Sequence, residues 1–118
     1  MAVRSRQVGS IVVLDLKGSF FGDRETDELQ KAILDAAAAG NLRLVLNMAE
    51  CQRLNSIAIG VLMRGFTNYK GRSGEIKLCG LGKNIRDLFT MTKLIMVFDH
   101  HDSVEEALAA FAAGKDAG

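Results

Sequence analysis

The order of short apolar segments in this chain predicts an α/β fold: a mixed, mostly parallel sheet of about five strands packed with four helices. Three observations lead there. Short runs rich in β-branched residues alternate with longer stretches of helical periodicity, which favours parallel neighbours and right-handed crossovers. The first two strand-like runs are separated only by the turn signal Gly9-Ser10, so the sheet opens with an antiparallel hairpin. The chain has 118 residues, enough for one hydrophobic core. Residues 1–118 are therefore read as one domain, ordered over about 3–113, with a short C-terminal tail.

Each element follows from its own pattern. Residues 3–8 alternate weakly and form the first strand. The run Ile11-Val12-Val13-Leu14-Asp15-Leu16 forms the second, ended by Gly18. Residues 23–39 are helical, capped by Asp23 or Thr26, with Leu29, Ile33 and Ala37 at helical spacing and Gly40-Asn41 as the stop. Residues 42–46 are apolar enough for a central strand. A second helix covers 55–70, a loop 71–74 and a fourth strand 76–79. A third helix covers 83–91, with Ile85, Leu88 and Phe89 on one side. Residues 95–98 form a last strand or extended piece. The final helix spans 102–113, where Asp102 with Glu105, or Ser103 with Glu106, makes a capping box. The order is ββαβαβαβα.

Composition narrows the function. Apolar residues are 48% and charged residues 25% of the chain, ordinary for a soluble globular protein. No apolar run approaches the roughly 20 residues of a membrane span, and the N-terminus lacks the apolar core of a signal peptide. A cytoplasmic location is expected. The net charge is +1 and the basic residues are scattered among acidic ones, which argues against nucleic acid as a partner. Cys51 and Cys79 stand far apart without a CxxC motif and read as reduced structural thiols. Asp99-His100-His101-Asp102 contains metal-ligand types, but adjacent strand histidines point to opposite sides; it reads as a solvated loop, and no metal is expected. Gly80-Leu81-Gly82-Lys83-Asn84 lacks phosphate-loop spacing and reads as a turn into a helix. The Glu25, Asp27 and Glu28 group is a solvated first turn complementing the helix dipole. With no GxSxG and no paired catalytic constellation, no catalytic residue and no cofactor is expected.

The second helix carries the candidate site. On a helical wheel, Ala58, Ile59, Leu62, Phe66 and Tyr69 share the face that packs on the sheet. Ser56, Ile57, Gly60, Met63, Arg64 and Thr67 share the outer face. Asn55 is a good N-cap, and Ser56 then sits in the first turn at the positive end of the helix. A phosphate there would bring about −1.5 to −2 charges to an exposed surface without melting the helix. Serine is also common in first turns for capping reasons alone. The exposed apolar Ile57 and Met63, and a glycine between them that costs about 1 kcal/mol relative to alanine, point instead to a binding face. Gly60 would serve close approach of a partner or packing by a neighbouring loop.

The segments Leu44-Val45-Leu46-Asn47 and Leu54-Asn55-Ser56-Ile57-Ala58-Ile59-Gly60-Val61-Leu62 resemble the strand, switch loop and helix of the STAS family, named for sulfate transporters and anti-sigma-factor antagonists. Gly74 to Leu81, Ile85-Arg86-Asp87-Leu88-Phe89, Thr92-Lys93-Leu94 through Val97-Phe98, and Asp102 to Leu108 are similar to the family's later elements, so the resemblance spans nearly the whole chain. The chain departs from the family pattern at Asn47 and Asn55, where aspartates are usual, at Ile57, where a small polar residue is usual, and at Lys93, where glycine is frequent.

The resemblance implies a bacterial, non-enzymatic regulator of transcription that works by partner switching. Its partners would be an anti-sigma factor that is a GHKL-type serine kinase, and a PP2C-type phosphatase. Ser56 carries over as phosphoacceptor, with Asn55, Ser56, Ile57, Gly60, Met63 and Arg64 as the partner-binding residues. No membrane or nucleic-acid partner is implied; a weak homodimer is allowed. The departures at positions 47, 55 and 57 motivate an alternative, a STAS interaction module or scaffold without phosphorylation in a signalling or lipid-transport assembly. A small enzyme is the third reading.

Overall fold

The structure, a computed structural model, describes residues 1–113; the expected C-terminal tail lies outside them. Its elements are β1 (Val3–Val8), β2 (Ile11–Phe20), α1 (Arg24–Ala38), β3 (Arg43–Leu54), α2 (Ser56–Gly71), β4 (Glu75–Cys79), α3 (Lys83–Met91), a 3₁₀ turn at Leu94–Met96, β5 (Asp99–His101) and α4 (Val104–Ala112). The strands form one sheet in the order β1-β2-β3-β4-β5. β1 and β2 are an antiparallel hairpin, and the remaining pairs are parallel. The expected order ββαβαβαβα and the five-stranded, mostly parallel sheet with four helices are what the chain adopts.

Alternation along the strands divides the sheet into two unequal faces. Val12, Leu14 and Leu16 of β2, Leu44, Leu46 and Met48 of β3, and Ile76 and Leu78 of β4 point to the main core under α1, α2 and α3. The other face carries Ile11, Val13, Val45 and Cys79, covered by Ala107 and Phe111 of α4. Beyond α4 this second face turns polar. Arg6 donates through Nε and Nη2 to the Asp15 carboxylate (2.8 and 3.2 Å), and Asn47 Nδ2 donates to Asp15 Oδ1 at 2.8 Å. Partial burial works against the Asp15 charge, but the bonds from Arg6 and Asn47 outweigh it and hold the pKa below its ordinary value.

Four expectations about elements need correction. β2 does not end at Gly18: that glycine takes φ +94°, the ladder to β3 shifts register there, and the strand continues to Phe20. β3 does not end at residue 46 but runs to Leu54, so Asn47 lies mid-strand on the face opposite α2. The segment 95–98 is not a strand. Lys93 takes a left-handed φ of 63°, the chain winds through the 3₁₀ turn, and the strand pairing with β4 is Asp99–His101. The acidic-histidine segment read as a solvated loop is therefore largely β5. It is held by the buried Lys77, whose Nζ donates to Asp99 Oδ2 at 2.6 Å and to Glu75 Oε2 at 2.9 Å. His100 and His101 do fall on opposite faces, and His101 Nε2 lies 2.9 Å from Asp99 Oδ2.

Of the capping alternatives for α4, Ser103 with Glu106 is the one formed. Ser103 Oγ accepts the Glu106 N–H at 3.1 Å, and Glu106 Oε1 accepts the Asp102 N–H at 3.2 Å. At α1, Asp23 is the N-cap residue but makes no side-chain capping bond. Thr26 is buried and serves the preceding turn instead.

Candidate functional site at the start of the second helix

The register pairs Phe20 with Leu54, so the parallel strands β2 and β3 finish side by side at the C-terminal end of the sheet. The segments that follow, 21–23 and 55–57, leave together. Asn55 joins them. Its backbone N–H donates to the Phe20 carbonyl at 3.1 Å and its side-chain Nδ2 to the Phe21 carbonyl at 2.8 Å. Its Oδ1 accepts the N–H groups of Ile57 and Ala58, both at 3.1 Å, the N-cap arrangement expected from sequence. On the other side, the Gly22 N–H donates to Thr26 Oγ1 at 2.8 Å. Gly22 adopts φ +95°, and the Ile57 side chain lies directly on it: a Cβ at Gly22 would stand 2.7 Å from Ile57 Cδ1.

Ser56 is exposed in the first turn of α2, as expected, and that turn carries no acidic side chain to oppose a phosphate at the helix N-terminus. Ile57 is 55% exposed although it covers Gly22. Arg64 and Thr67 are exposed further along the same side. Met63 corrects the helical wheel: it is half-buried and packs against the main core together with Ile59 and Phe66. The residues of α2 that are fully buried are Ala58, Val61, Leu62, Gly65 and Tyr69, so the inward face is rotated toward α1. Val61 and Gly65 face that neighbour, and a Cβ at Gly65 would meet Ile33 Cγ2 at 3.1 Å. The close helix approach thus belongs to Gly65. Gly60 is partly exposed, and a Cβ there would meet only the Arg64 guanidinium at 3.4 Å; no loop packs on it.

Sequence reasoning missed Phe21, which is 50% exposed beside this site. A signal was present: two adjacent phenylalanines at the end of a strand point to opposite sides, so they could not both join the main core. Phe21 borders an open groove of about 440 Å³ whose other walls include Arg53 and Leu54 from β3 and Asn84, Ile85 and Leu88 from α3. Its lining mixes apolar side chains with the polar Arg53 and Asn84. Neither cysteine adds reactivity. Burial pushes the Cys51 thiol up to about 12 and the Cys79 thiol up to about 11, and both are free. Among the described residues, no group of three or more His, Cys, Asp and Glu side chains could hold a metal ion, and no helix is long and apolar enough to cross a membrane.

Comparison with known proteins places this geometry in a family. The STAS domain model matches residues 2–107. BtrV of Bordetella bronchiseptica, which bears the name of an anti-sigma factor antagonist, is 22% identical over 111 residues, covering 94% of this chain and 95% of that protein. Among solved structures, an anti-sigma-factor antagonist (STAS) domain protein from Planctomyces limnophilus superposes with a TM-score of 0.80 at 19% identity, covering 93% of this chain and 97% of that one. The Bacillus cell-fate determinant SpoIIAA in its phosphorylated form gives 0.75 at 18% identity, covering 93% and 99%. At these identities the superpositions speak to the fold, while the family model reaches from the first strand into the last helix. The chain belongs to the STAS domain family.

Proposed function

We propose that this protein is an anti-sigma-factor antagonist: it binds an anti-sigma factor of the GHKL serine-kinase type, frees the sigma factor, and is released when Ser56 is phosphorylated. The observation that carries the reading is the exposed Ser56, fixed in the first turn of α2 by the Asn55 cap and flanked by the exposed apolar side chains of Ile57 and Phe21. Asn55, Ser56, Ile57, Gly60, Met63 and Arg64 form the proposed docking face, with Met63 contributing its half-exposed edge. A PP2C-type phosphatase restores the serine. The chain itself performs no chemistry in this scheme and acts in the cytoplasm.

The switch follows from desolvation. An interface that covers Ile57 also covers Ser56. A phosphate there would have to surrender its water to an apolar contact, and an unpaired buried charge costs several kcal/mol. That is ample to dissociate a complex. The test is calorimetric titration, without ATP, with a GHKL-type serine-kinase anti-sigma factor from the same organism. Wild type and Ser56→Ala are expected to bind alike, and Ser56→Glu at least about tenfold more weakly, the factor that 1.4 kcal/mol carries. Equal affinity for Ser56→Glu would overturn the switch. Tight binding here, with no phosphate gained by Ser56 once ATP is added to the complex, would favour the unphosphorylated interaction module.

A further inference from the structure

The Phe21 carbonyl and the Gly22 N–H belong to one peptide unit, and its two ends are held by different helices. The carbonyl accepts from Asn55 Nδ2 (2.8 Å) at the start of α2; the N–H donates to the buried Thr26 Oγ1 (2.8 Å) in the first turn of α1. Ile57 closes over the same unit, resting where a Gly22 Cβ would be. We infer that Asn55 is a positioning residue: through this clamped peptide it fixes where Phe21 stands relative to Ser56 and Ile57, so that a partner meets them as one surface.

The amide side chain is required for this. Asn55 uses its oxygen for the cap and its nitrogen for the clamp. Aspartate would keep the first and lose the second, placing an acceptor against a carbonyl oxygen. Serine would keep a cap but is too short to reach Phe21. The two roles are therefore separable at one position. Glycine leaves the backbone on one side of this unit conformationally permissive, and the unit is held by the pair of bonds at its ends together with Ile57 lying on Gly22. Cutting the carbonyl end should loosen the N–H end as well, although Asn55 never touches that N–H.

The clamp rests on the geometry alone; its consequence for a partner rests on the function proposed above. The experiment separates them. Residue-resolved amide hydrogen exchange is measured on the full chain as wild type, Asn55→Ser, Asn55→Asp and Thr26→Val. Asn55→Ser and Asn55→Asp are expected to speed exchange at Gly22 by about fivefold to tenfold, the change one lost neutral hydrogen bond carries. Ala58, which reports the cap, should stay within about twofold. In Thr26→Val the Gly22 amide is already released, and adding Asn55→Ser should change it little further. Unchanged Gly22 exchange in both Asn55 variants would overturn the clamp, as would equal acceleration at Gly22 and Ala58. The second arm titrates the same kinase-type anti-sigma factor. Asn55→Ser should weaken its affinity about as much as Phe21→Ala does, and the two together no further. Full affinity in Asn55→Ser would overturn the positioning role even with the clamp intact. Absence of binding by wild type would refute the proposed function and leave the exchange result standing.

Discussion

Gly22→Ala should destabilise the protein in two separable parts, one from the backbone and one from Ile57. At φ +95° a side chain is strained whatever space surrounds it, and holding a residue in such a sparsely populated region costs about 1–3 kcal/mol. The added methyl would also stand 2.7 Å from Ile57 Cδ1, 3.1 Å from Cγ2 and 3.2 Å from Cβ. The first contact involves the mobile tip of the side chain and can be relieved by rotation. The other two involve its base and require the helix start to move, which overpacked sites charge at about 1–3 kcal/mol. The single substitution should therefore cost about 2–6 kcal/mol. Ile57→Ala alone should cost little, because Ile57 is 55% exposed. In the double mutant the steric part disappears and the backbone part stays. Urea unfolding of the four proteins measures this as a midpoint shift at constant slope. The reasoning fails if Gly22→Ala costs less than about 0.5 kcal/mol, the level of an ordinary surface change, or if Ile57→Ala recovers none of the loss.

The two glycines inside α2 should respond oppositely to alanine. Gly60→Ala meets only the flexible Arg64 guanidinium at 3.4 Å and should gain about 0.5–1 kcal/mol in a thermal or urea melt from helix propensity, while Gly65→Ala should lose stability because its methyl meets Ile33 Cγ2 at 3.1 Å; Ile33→Ala, which removes that atom, should therefore cost less in the Gly65→Ala background than in wild type. Asn47→Asp should set a second carboxylate against Asp15, raise the pKa of one of them, and cost about 1–2 kcal/mol at pH 7, the equivalent of one unit or slightly more. The deficit should shrink as the pH falls toward 4, and a pH series of urea midpoints reads it. In wild type the sign at Asp15 is that of a depressed carboxylate: its contribution is complete above about pH 4 and is lost as pH falls through the lower folded value.

The element order and helix count were legible because each core segment carries a readable pattern. The β-branched run of β2 and the central apolar run of β3 leave few other assignments. The errors cluster where tertiary partners decide. β3 was cut short at its polar half because beyond Asn47 it has lost β4 as a neighbour and pairs only with β2; residues such as Gln52 and Arg53 face solvent there without ending the strand. The apolar 95–98 looked like a strand and the charged 99–101 like a loop. The buried ammonium of Lys77 reverses the two by demanding Asp99 beside it. At the site, the Asn55 cap and the exposure of Ser56 were local facts and readable. The second bond of Asn55, to Phe21 at a separation of 34 residues, leaves no periodic trace. Met63 was misplaced because a wheel assumes one neighbour, whereas α2 packs on both the sheet and α1.

The most direct test is intact-mass measurement after incubating the protein with the kinase-type anti-sigma factor and ATP, with the complex followed by size-exclusion chromatography on the same samples. The account predicts one added phosphate on wild type and none on Ser56→Ala. It also predicts that the wild-type complex separates as phosphate is gained, while the Ser56→Ala complex persists. No added phosphate on wild type, an equal gain on Ser56→Ala, or a complex that survives full phosphorylation would contradict it.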